Sequence, residues 1–144
     1  MDKTLSDALS RIRSESSRLN DVSDQLKETV KEIEQFLNEI SLGIHAWAVV
    51  ESADHPTDPS KFLEFRRIGS RFRFAVVTGA EATPEHELVK PWNDCSRVEK
   101  VETIQKLPEL IAHLGKQIQE RNKSAEASLG TAQAVLQQLQ SGDA

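Results

Sequence analysis

Leu5, Ile12, Leu19, Leu26, Ile33 and Ile40 stand at steps of seven with none missing. Their companions are Leu9, Ser16, Ser23, Val30, Leu37 and Ile44, apolar at both ends and small in the middle. An apolar repeat of period seven held over more than five heptads specifies a helix with a narrow seam that must face another helix. Thr4 followed by Asp7 marks a capped start and Gly43 a stop, so the spacing predicts a helix over residues 4–42. At a rise of about 1.5 Å per residue it runs to roughly 60 Å. A chain of 144 residues, the size of one domain, cannot enclose such a rod.

A second seam follows Pro108, where Ile111, Ile118, Ala125, Ala132 and Leu139 again step by seven beside Leu107, Leu114, Leu129, Val135 and Leu136. Proline suits the first turn of a helix, where its missing N–H goes unused. Folded back antiparallel, the two seams bring Ser16 to Thr131 and Ser23 to Ser124, so small residues oppose small residues. The expectation is an antiparallel, coiled-coil-like helical hairpin. The first helix also carries Ala8, Val22 and Phe36 outside its main stripe, which one partner helix cannot cover. A homodimer forming a four-helix bundle would cover them.

Between the helices, residues 44–95 change character. "IHAWAVV" is β-branched and aromatic, and "KFLEFRRI" and "RFRFAVV" flank Gly69-Ser70, a two-residue hairpin turn with glycine first. "ELVKPW" reads as a short fourth strand that Pro91 ends or places at an edge. His45, Trp47 and Val49 on one face of the first strand and Ile44, Ala46, Ala48 and Val50 on the other leave both faces largely apolar. That predicts a central strand covered on two sides, or an interface with a second copy. Ser96 with Glu99 is a capping box that opens a short helix, so residues 96–141 read as a short helix followed by the second long one. The terminal SGDA reads as frayed. The whole is an α+β fold in a single domain, residues 1–144: a long helical hairpin with an antiparallel sheet of three to four strands inserted at its bend.

The stretch "FRRIGSRFRF" sets four arginines into a chain of net charge −5. With Gly69-Ser70 as the turn, Leu63 faces Val76, Phe65 faces Phe74 and Arg67 faces Phe72 on an apolar side. Glu64, Arg66, Arg71 and Arg73 share the other, with Arg66 directly across from Arg73. Like charges opposed on a sheet cost stability. Such a face either discourages edge aggregation or holds a phosphate, a carboxylate or an acidic protein surface. The candidate binding residues are therefore Arg66, Arg67, Arg71 and Arg73, with Trp47 and Trp92 available to stack on a base. The candidate packing residues are Leu5, Ile12, Leu19, Leu26, Ile33, Ile40, Ile111 and Ile118.

His45, His55, His86 and His113 show no zinc-type spacing with one another or with Cys95, the single cysteine, so no metal and no cofactor are expected. "PWNDCSR" places Cys95 ahead of a helix, where a thiolate can be activated, but Asn93, Asp94 and Ser96 are ordinary turn and capping residues. No phosphate-binding glycine loop, serine elbow or paired-carboxylate motif stands out, and no catalytic residue is assigned. The acidic balance argues against a general nucleic-acid binder. No run approaches the roughly 20 apolar residues a bilayer span requires. These features point to a non-enzymatic, cytoplasmic, homodimeric interaction module whose head binds a protein partner. The alternatives are a binder of a small anionic ligand or nucleotide, or a nucleic-acid-binding accessory protein, each acting through the hairpin arginines.

Overall fold

The computed structural model describes residues 2–40 and 43–142. The last two residues of the expected first helix, 41 and 42, and the end of the expected frayed tail, 143 and 144, lie outside them. Helix α1 spans Lys3–Ile40 and is followed by β1 Ala46–Glu51, β2 Ser60–Ile68, β3 Arg71–Gly79 and β4 Leu88–Pro91. Helices α2 Arg97–Ile104 and α3 Leu107–Gln140 complete the chain. The class is the expected one, α+β, with a four-stranded antiparallel sheet set between long helices.

The sheet is a simple meander, β1-β2-β3-β4. Gly69 at φ 69° supplies the left-handed residue of the β2–β3 turn, and it sets the register inferred from the sequence, with Phe65 opposite Phe74 and Arg66 opposite Arg73. Pro91 ends β4, where its missing N–H breaks no ladder. Strand β1 lies at the edge of the sheet, which corrects the expectation of a central strand. Its outer side chains are apolar yet half exposed, as at Trp47 and Val49.

One face of the sheet is the core. Ala46, Ala48, Leu63, Phe65, Phe72, Phe74 and Val76 meet Val30 and Leu37 of α1, Leu110 and Leu114 of α3, and the buried Trp92. Trp92 follows β4 and donates its indole N–H to the Lys100 carbonyl at 3.2 Å, which anchors α2. Ser96 caps α2 as anticipated, accepting from the Glu99 N–H at 3.2 Å. Asp2, and not Thr4, caps α1, its carboxylate accepting from the Thr4 N–H at 3.1 Å. Gly43 at φ 73° leaves the helical region after α1, as its place in the sequence suggested.

The heptad seams are not buried against each other, which corrects the antiparallel pairing of the two long helices. Strand β4 covers only Ala75–Thr78 of β3, so the outer edge of Arg71–Phe74 has no strand beside it. Helix α1 fills that place. Asn38 donates to the Phe72 carbonyl at 2.8 Å and accepts from the Phe72 N–H at 3.0 Å, while Glu34 accepts from the Phe74 N–H at 3.1 Å. On the opposite edge, Nδ1 of His113 in α3 lies 3.1 Å from the Trp47 nitrogen and 3.0 Å from its carbonyl oxygen. Each long helix thus closes one edge of the sheet, and the two make no sustained contact with each other.

Their directions follow from the same contacts. Glu34 lies level with Phe74 and Asn38 with Phe72, so α1 advances toward the Gly69-Ser70 turn. Glu102 pairs with Lys61 and His113 reaches Trp47, whose partner Glu64 is nearer that turn, so the chain entering α3 advances the same way. The first half of α1 and the second half of α3 therefore leave the sheet from opposite ends, and residues 2–22 and 119–142 are exposed throughout.

Candidate functional site

The four arginines of the β2–β3 hairpin sort into three environments. Arg66 is neutralised: its guanidinium lies 3.0 Å from Glu87 and 3.4 Å from Glu64, and Glu64 in turn meets His45 at 2.7 Å. This chain of partners offsets the repulsion expected from Arg73 across the ladder. Arg67 stacks over the Phe72 ring at 5.5 Å, the cation–π contact anticipated from the register. Arg71 and Arg73 point elsewhere, into a cleft at the open edge of β3.

That cleft has a volume of about 350 Å³ and lies where β4 ends and α1 takes over the sheet edge. Its cations are Arg71 and Arg73 from β3 and Lys27 and Lys31 from α1, with Asn93 in the short turn that follows β4. Lys27 and Lys31 are one helical turn apart and so share a face. Two carboxylates, Glu28 and Glu34, also line the cleft, and Glu34 is held by the Phe74 N–H. Among the described residues, none of the four cations has a carboxylate within ion-pairing distance. The Nε of Arg73 is buried and has no hydrogen-bond partner. Behind the cleft lies Lys100, buried against the Trp92 ring at 5.6 Å, and burial followed by the charge of Lys27 lowers its pKa.

Trp92 is a buried anchor with Lys100 over one face of its ring, and it forms part of the wall of the cleft. Trp47 lies at the other edge of the sheet, its ring centroid 5.3 Å from that of His45 and 4.2 Å from that of His113. Trp47 thus lies apart from the arginines, whereas Trp92 shares the cleft with Arg71 and Arg73. Leu26, Ile33 and Ile118 pack against the core, while Leu5, Ile12, Leu19, Ile40 and Ile111 are exposed. The buried stripe of α1 is the companion set, Val30 and Leu37.

Sequence reasoning missed Lys27 and Lys31, and it gave Asn93 only a turn role. The Lys-x3-Lys spacing sets two like charges on one helix face, a signal that the heptad repeat of α1 overshadows. Cys95 is buried, its thiol 3.5 Å from the Pro91 carbonyl. Desolvation, reinforced by Glu99, pushes its pKa up to about 12, the reverse of an activated nucleophile. Among the described residues no group of three His, Cys, Asp or Glu could hold a metal ion, and no helix is long and apolar enough to cross a membrane. No family model, curated protein or solved structure matches the chain.

Proposed function

We propose that the protein is a non-enzymatic interaction module that self-associates through the free halves of its long helices and presents the sheet as a head for a protein partner. The supporting observation is the seam left uncovered: Leu5 is 52% exposed, Ile12 59%, Leu19 48% and Leu139 74%. Helical segments of about twenty residues are marginal in water unless an apolar face is packed, and a large aliphatic side chain at every seventh position gains nothing in solvent. A second copy offers the same repeat, and a two-fold axis lets each seam cover its counterpart. The broad stripe of α1, with Val22 beside Leu19, suits a bundle better than a two-stranded coil. The working compartment is the cytoplasm, consistent with a lone cysteine that is buried as a free thiol.

The experiment is the mass in solution by light scattering. The wild-type chain should show at least twice its 16.1 kDa, and Ile12→Asp with Leu19→Asp should return it to a monomer with the sheet intact. A wild-type chain that stays monomeric at about 100 μM, a concentration at which even a weak dimer forms, refutes the reading.

A further inference from the structure

We infer that the cleft between α1 and β3 binds the phosphoryl group of a small phosphorylated ligand. Four cations from two elements converge there without a counter-charge in ion-pairing distance, and two carboxylates line the same cleft. The imbalance of two positive charges matches a phosphate dianion better than a single carboxylate. A guanidinium N–H that is buried and unpaired is costly, and a negatively charged oxygen seated on the Arg73 Nε removes that cost. Lys31 on the helix and Arg71 on the strand stand at the exposed rim on opposite sides, placed to close on an anion from two directions. Asn93 adds a neutral donor. Arg66 and Arg67 take no part, because Glu64, Glu87 and the Phe72 ring already occupy them.

The inference stands apart from self-association, since the cleft lies on the head and the free seams lie beyond it. Its test follows the arginine side-chain Nε–H resonances by NMR while inorganic phosphate, and then pyrophosphate, is added at constant ionic strength. The Arg73 signal should shift and saturate, with a millimolar or tighter Kd for phosphate and a lower one for pyrophosphate. Lys31→Gln, an exposed change that leaves the core untouched, should weaken binding by about tenfold, the loss of one charge-assisted contact. Arg66→Gln should leave the affinity unchanged. A shift that fails to saturate by about 20 mM phosphate, or that sodium chloride reproduces, overturns the site. Tighter retention of a single-stranded oligonucleotide than of pyrophosphate, with steep salt dependence, overturns the small-ligand assignment.

Discussion

At the scale of single residues, placement decides chemistry more than residue type does. Four arginines within ten positions have three fates, because a side chain two residues further along a strand meets a different neighbour. Arg66 finds Glu87 and Arg67 finds the Phe72 ring, while Arg71 and Arg73 lie beyond the end of β4 and share a cleft with the lysines of α1. Cys95 shows the same dependence. Ahead of a helix its thiol could have been acidic, yet it is shielded from water beside Glu99, so the neutral form is favoured in the folded protein. The sign of the linkage follows. With a folded pKa of about 12 against an ordinary 9.0, the thiol's contribution to stability is complete below pH 9 and is lost as pH rises toward 12. Urea denaturation at about pH 8 and pH 10.5 should therefore show the wild type losing more stability than Cys95→Ala, by up to roughly 1.4 kcal/mol per pH unit above the ordinary pKa. At neutral pH, alkylation of Cys95 should proceed only as fast as the protein opens.

At the scale of elements, the two long helices act as covers for the sheet's edges. Asn38 imitates a strand residue, since its side-chain amide both accepts from and donates to the Phe72 backbone. Asn38→Ala leaves both of these part-buried groups unmatched and should cost about 2 kcal/mol, read as a lower urea midpoint at unchanged slope. Asn38→Asp should cost more, because it sets a carboxylate against a carbonyl oxygen. The sheet itself was legible in the sequence: a two-residue turn and an alternation of period two leave one register that buries Leu63, Phe65, Phe74 and Val76 together. The helices were legible as helices but not in their docking. A heptad announces that a stripe is to be covered without saying by what, and here Val30 and Leu37 turn to the sheet while Leu5, Ile12 and Leu19 do not. The polar residues that attach α1 and α3, Asn38, Glu34 and His113, bond to backbone atoms that any sequence would offer. No pattern in the sequence could therefore pair them. The cleft was hidden for the same reason, because two of its four cations come from α1 and become neighbours of Arg73 only once the helix takes the strand's place.

At the scale of the whole molecule, the decisive quantity is the distance between the two free helical halves. An antiparallel hairpin would hold Ser16 beside Thr131, with the helix axes about 8–10 Å apart. Each helix instead advances toward the same turn, so their free halves diverge. Ser16 lies eighteen residues before Glu34, and Thr131 eighteen residues after His113, so each stands roughly 27 Å out from its own contact with the sheet, on opposite sides. The separation should be about 50 Å, allowing for the small offset between the two contact points. Spin labels at cysteines replacing Ser16 and Thr131, in a Cys95→Ala background and diluted with unlabelled chain so that only pairs within one molecule are read, measure it directly by pulsed dipolar spectroscopy. A distribution centred near 50 Å fits edge-capping helices whose seams are free for a second copy. One centred below about 20 Å would mean that the chain closes its own seams, and self-association through them would then have no surface left to use.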